Sequence, residues 1–192
     1  MEPYPLTFEP LLKEKVWGGR ILEQYGKILP EQIKIGESWE LADLPDSIPE
    51  GKSVIANGPL AGQTLKHSFP LLIKFLDANE NLSVQVHPSK EYAANHPEAH
   101  LKSEAWIILD AQPEGKIYVG LKEGTTKEML LDSIQNDSVP EILQTIDVQK
   151  GECYYLPSGT CHALGAGVLV AEVQTPSDTT FRVWDWGRTG RE

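Results

Sequence analysis

Gly151-Glu152-Cys153-Tyr154-Tyr155-Leu156-Pro157-Ser158-Gly159-Thr160-Cys161-His162 is the stretch that decides the fold. Cys153 to Leu156 reads as a strand, Pro157 and Gly159 as a tight turn, and His162 as the start of the next strand, able to point into a barrel. The flanking sequence repeats the theme. Phe69 to Leu76 is a nearly continuous apolar run, which predicts a buried strand. In Leu82 to His87, Leu82, Val84 and Val86 alternate with Ser83, Gln85 and His87, so the polar three share one face until Pro88 ends the strand. Further strands are predicted over 35–44, 104–109, 117–121, 168–174 and 180–186. Residues 14–24 read as a turn leading into a short helix, and 89–95 as a helical turn. Thr125 or Thr126 caps a predicted helix through about Gln135 with Met129, Leu130 and Ile134 on one face, and a second short helix is predicted over Pro140–Ile146. Strands, a helical excursion and more strands describe a mainly β fold, a β-barrel with a short helical insertion.

Composition sets the limits. The 192 residues, 40% hydrophobic and 23% charged, describe a globular chain, and 16 Gly with 14 Pro imply many turns. Seventeen basic against 28 acidic residues, a net charge of −11, argue against a nucleic-acid or anionic-membrane partner. An anionic small substrate stays open, because a metal and a few basic side chains can dominate one pocket. Two cysteines, Cys153 and Cys161, do not make a disulfide scaffold and read as ordinary buried thiols. No secretion signal or membrane-spanning run is visible, so a cytoplasmic protein is expected.

The Gly-x5-Pro-x-Gly-x2-His spacing of the opening stretch resembles the second conserved motif of the cupins. Ala166 stands where that motif often has Asn. Gln85 and His87, two apart on a strand, leave the same face; Glu104 begins another strand and His162 a third. Such donors can converge inside a barrel, and imidazole nitrogen with carboxylate oxygen suits zinc, with positions left open for water or substrate. A bare Glu104 carboxylate at the head of an apolar strand would be costly to bury, and a metal removes that cost. Gln85 is read either as a ligand or as a hydrogen-bonding neighbour of the site.

Lys15-Val16-Trp17-Gly18-Gly19, Gly36-Glu37-Ser38-Trp39-Glu40, Phe69 to Ala78, Leu82 to Pro88, Lys102 to Trp106 and Phe181 to Trp186 together resemble type I phosphomannose isomerases in their short bacterial form. The segments follow the family's order over nearly the whole chain. The resemblance implies a cupin catalytic domain spanning 1–192, without the family's C-terminal second cupin domain. It implies one zinc per chain held by Gln85, His87, Glu104 and His162, and a sugar-phosphate substrate. It implies interconversion of mannose 6-phosphate and fructose 6-phosphate through a cis-enediol(ate). Arg182 takes the family's active-site arginine position, and Lys74 and Lys102 match lysines of its pocket. The base is left open among Glu172, Lys102 and a zinc-bound hydroxide. The rival readings are a non-catalytic, metal-keeping cupin module that binds sugars or regulates, and an iron-dependent cupin oxygenase.

The residues alone leave some roles undecided. Lys74, inside an apolar run, either binds substrate or snorkels to water. Lys102 shares strand parity with Glu104. Glu172, among apolar neighbours, is either an outward strand residue or a pocket acid. His67, His96 and His100 read as ordinary histidines, and the five tryptophans as core or pocket wall. Only six residues follow Trp186, so Trp184 and Trp186 are expected to be uncovered.

Overall fold

The computed structural model describes residues 2–46, 48, 50–65, 69–177 and 179–188. Among these residues eleven strands and two α-helices follow in the order β1 (Leu11–Gly19), β2 (Ile35–Leu41), β3 (Leu72–Ala78), β4 (Val84–Val86), α1 (Lys90–Asn95), β5 (Glu104–Ala111), β6 (Lys116–Leu121), α2 (Lys127–Gln135), β7 (Leu143–Asp147), β8 (Cys153–Leu156), β9 (His162–Leu164), β10 (Val168–Gln174) and β11 (Phe181–Trp184). Short 3-10 turns fill three of the connections. The strands form two antiparallel sheets, ordered β1-β2-β3-β10-β5-β8 and β11-β4-β9-β6-β7. Leu76, Ile108 and Val170 of the first sheet pack with Ile117 and Leu164 of the second in one buried core. This is the jelly-roll-like cupin arrangement predicted, with α2 and the 3-10 turn Val139–Ile142 as the helical insertion between β6 and β7.

The central strands follow the period-2 pattern, but three other segments depart from the expectation. Residues 14–19 are not a turn: they are the end of β1, which pairs with β2 through irregular register shifts, and only Ile21–Tyr25 is helical. Pro140–Ile146 is helical only as far as Ile142. From Leu143 the chain pairs with β6, burying Leu143 while Gln144 and Thr145 face solvent. Thr126 does cap α2, its hydroxyl accepting from the Met129 N–H, yet Met129 itself is exposed and Ser133 is the buried residue.

Trp184 and Trp186 are half-buried rather than uncovered, since they pack on Tyr118, Val84 and Leu143. Their indoles donate to Asp137 Oδ1 (3.0 Å) and Leu82 O (2.6 Å). Cys153 is exposed, because β8 is an edge strand and Cys153 points outward from it; Cys161 is half-buried. No helix among the described residues is long and apolar enough to cross a membrane. His67 lies outside the described residues.

Candidate metal centre and pocket

Register places the chemistry. On the first sheet, Trp39, Lys74, Glu172 and Trp106 stand side by side across β2, β3, β10 and β5, and Gln174 and Glu104 form the next row. On the second sheet, Arg182 pairs with Gln85 and Gln85 with His162. The facing rows enclose a cavity of about 470 Å³ whose wall includes Lys15, Glu37, Lys74, Gln85, Lys102, Glu104, Glu172 and Arg182.

His87, Glu104 and His162 come together beside it, Glu104 forming part of its wall, with their donor atoms within 4.8 Å of one another and all three residues buried. His87 Nε2 lies 2.9 Å from Glu104 Oε1, and His162 Nε2 lies 3.6 Å from Glu104 Oε2. Each imidazole has its other nitrogen against a backbone carbonyl: His87 Nδ1 donates to Thr179 O (3.1 Å) and His162 Nδ1 to Thr160 O (2.8 Å). A carbonyl only accepts, so Nδ1 carries the proton in both rings and a neutral ring turns an Nε2 lone pair toward the carboxylate. Such a lone pair facing a carboxylate in a dry site needs a cation between the two. Burial pushes the His162 pKa down to about 4 against the pull of Glu104, so its ring stays neutral near pH 7. Glu104 Oε2 is buried and receives no hydrogen bond among the described residues. Orphan oxygen, fixed tautomers and an N/O donor set together fit a divalent metal.

Gln85 Nε2 lies 3.3 Å from His162 Nε2, so its amide reaches the same point, and turning the amide end for end would offer the oxygen instead. Lys102, two residues before the start of β5, lies buried with Nζ 2.8 Å from Glu104 Oε1. Burial alone would raise the Glu104 carboxyl; the His87 contact and the Lys102 charge outweigh it and hold the group well below the usual carboxylate range.

Beside this centre runs an alternating chain of charges. Lys74 Nζ lies 3.3 Å from Glu172 Oε1 and 3.4 Å from Glu37 Oε2, and Glu37 Oε1 lies 3.4 Å from Lys15 Nζ. Burial would strip Lys74 of its proton, but Glu172 and Glu37 reverse this and hold its pKa above the ordinary lysine value. Burial likewise opposes ionisation of Glu37, yet Lys74 and Lys15 bring it down to about 2. Glu172 goes the other way: burial, then the charge of Glu104, push it up to about 6 against Lys74. Trp106 Nε1 donates to Glu172 Oε2 (2.9 Å), fixing the carboxylate. Both open questions thus resolve inward: Glu172 is a pocket acid, and Lys74 is buried rather than snorkelling. Arg182, on β11, lines the cavity while remaining largely exposed.

His96 stacks on Tyr92 outside the pocket, and His100 is exposed. Lys15 and Glu37 were not singled out from the sequence. Glu37 shares strand parity with Trp39 and Ile35, which was a usable signal; Lys15 sits in an irregular stretch of β1, where parity gives none.

Fold and site together describe a cupin with a buried metal-type centre beside a charged cavity. The family model of the phosphomannose isomerase type I catalytic domain matches residues 6–123, and the chain belongs to that family. It is 40% identical over its whole length to the mannose-6-phosphate isomerase ManA of Bacillus subtilis, and spans 64% of that protein. It superimposes with a TM-score of 0.85 on the crystal structure of the mannose 6-phosphate isomerase from Bacillus subtilis, at 36% identity, covering 98% of this chain and 63% of that one. A mannose 6-phosphate isomerase bound with zinc and yttrium shares the fold at 17% identity and a TM-score of 0.63, covering 93% of this chain and 70% of that one. The chain therefore spans less than two thirds of the length of its nearer relatives among these.

Proposed function

We propose that residues 1–192 form the catalytic cupin domain of a zinc-dependent isomerase that interconverts mannose 6-phosphate and fructose 6-phosphate through a cis-enediol(ate). The observation that carries this reading is the dry His87–Glu104–His162 centre standing beside Glu172, a buried carboxyl that burial and the Glu104 charge push up to about 6. Family membership supplies the substrate pair.

Gln85, His87, Glu104 and His162 would hold one zinc per chain; the N/O donor set and the zinc carried by a protein of the same fold support that choice. When bound, the metal supplies a Lewis acid that polarises the substrate oxygens at C1 and C2. Glu172, held by Trp106 and Lys74, removes the C2 proton of the aldose and, after its carboxyl exchanges with solvent, delivers a proton to C1. Its raised pKa makes it a base able to accept and release a proton near neutral pH. Lys102 is the weaker candidate for that role, because its ammonium is tied to Glu104. It orients that carboxylate and adds positive charge to the pocket. Arg182, across from Gln85, faces the reacting end and offsets the charge that develops on the enediolate. Lys74 keeps Glu172 in place and contributes to the charge that attracts an anionic substrate.

Turnover of mannose 6-phosphate in deuterium oxide tests this reading. Fructose 6-phosphate carrying deuterium at C1 is the expected product. Unlabelled product would exclude a base that exchanges with solvent between the two transfers, and no product with zinc bound would favour a non-catalytic sugar-binding module.

A further inference from the structure

We infer that Lys15, at the β1 edge of the cavity, is the seat of the substrate's phosphate group. The inference rests on the isomerase reading above and adds the direction in which the substrate lies.

The cavity wall is graded. Glu104 stands on β5, Glu172 on β10, Lys74 on β3, Glu37 on β2 and Lys15 on β1, which is the strand order of the sheet. The charges alternate from Glu172 to Lys74 to Glu37 to Lys15, so each inner member has an opposite charge on both sides. The ends are different. Glu172, the negative end, has one cation of this chain beside it, Lys74, and lies buried near the metal-type centre. Lys15, the positive end, has one carboxylate beside it, Glu37, which it shares with Lys74 and the Trp39 indole, and its side chain is 26% exposed. A base is wanted at the reacting end of a sugar phosphate, and a cation at the phosphate end.

The other cations are placed for other tasks. Lys102 lies on Glu104, Lys74 lies between two carboxylates, and Arg182 pairs across strands with Gln85, the neighbour of His162. Dimensions agree. A six-carbon chain with a terminal phosphate is roughly 8–9 Å from C1 to phosphorus at ~1.5 Å per C–C bond. From β10 to β1 is three strand spacings of about 4.8 Å, roughly 14 Å, close to the length of the sugar phosphate plus a contact of about 3 Å at each end.

The fold also makes room for this lysine. A Cβ placed on Gly36 would meet Lys15 Cβ at 2.6 Å and Cγ at 2.7 Å, so the absent side chain of Gly36 leaves space for the lysine stem.

The test compares Lys15→Met and Lys15→Arg with the wild-type chain, all zinc-loaded, on mannose 6-phosphate and on unphosphorylated mannose. Loss of one charge-assisted contact to phosphate should raise KM for mannose 6-phosphate roughly 10-fold or more in Lys15→Met. Any fall in kcat/KM for mannose should be several-fold smaller than the fall for mannose 6-phosphate, and Lys15→Arg should restore most of the affinity. An unchanged KM in Lys15→Met, or equal losses on both sugars, overturns the assignment while leaving the isomerase reading intact. If the wild type turns over neither sugar, the isomerase reading fails separately. Calorimetric binding of mannitol 6-phosphate then decides: roughly 10-fold weaker binding in Lys15→Met supports the seat, and unchanged binding removes it.

Discussion

At the scale of single residues, the account turns on how neighbouring carboxyls are driven apart. Glu37, Glu104 and Glu172 are all buried in one cavity, yet lysines and the His87 contact hold Glu37 and Glu104 ionised, while Glu172 is pushed up to about 6. A base must be ionised to accept a proton, so turnover should fall as pH drops through the Glu172 pKa. A bound cation would offset the Glu104 charge, which after burial is the largest cause of the upward shift, so the limb is expected at or below about pH 6. Glu172→Gln keeps the shape and the acceptor for Trp106 but removes the base. We predict that kcat falls about 100-fold or more, with zinc content unchanged and the acid limb gone from the pH–rate profile. A variant that keeps wild-type turnover would move the base elsewhere in the pocket.

At the scale of elements, the turn between β8 and β9 does more than reverse the chain. Gly159 has φ +92°, a conformation costly for side-chain-bearing residues, and its N–H donates to His87 O (3.1 Å). The same turn therefore delivers His162 and is tied to the residue bearing the other imidazole. Gly159→Ala should cost about 1–2 kcal/mol of stability from the backbone alone and weaken zinc binding, measured by thermal melting and by competition with a chelator. Unchanged zinc affinity in a destabilised variant would mean that the turn is only structural.

This stretch was the most legible part of the sequence, because Pro, Gly and strand alternation are local signals. The row Trp39–Lys74–Glu172–Trp106 was not legible as a row: it exists only once β10 inserts between β3 and β5, a long-range pairing that local pattern does not encode. The misread segments have the same cause. Residues 14–19 and 143–147 are strands because a neighbouring strand accepts them, despite turn-like or helix-like local sequence. Lys15 escaped notice for that reason, while the four proposed zinc residues sat in motifs that strand parity could read.

At the scale of the whole molecule, a chain with net charge −11 keeps a pocket in which Lys15, Lys74, Lys102 and Arg182 face three carboxylates. The acidic surface and the cationic pocket serve different ends, since local charge and a bound metal decide what the cavity attracts. The centre also joins the two sheets: His87 and His162 belong to the β4–β9 side, Glu104 to β5. Removing the metal should leave that junction with a buried carboxylate lacking its cation, so melting temperature should fall on chelation and recover with zinc, in proportion to occupancy. The central claim is that one zinc, held between the sheets, makes this cavity an isomerase. Its most direct test is to strip the protein of metal, titrate it with zinc, and follow formation of fructose 6-phosphate from mannose 6-phosphate at each step. The account predicts activity that is absent at first, rises in proportion to added zinc and levels off at one zinc per chain. Activity that survives complete stripping, or a chain that fills with one zinc and forms no fructose 6-phosphate, would contradict it.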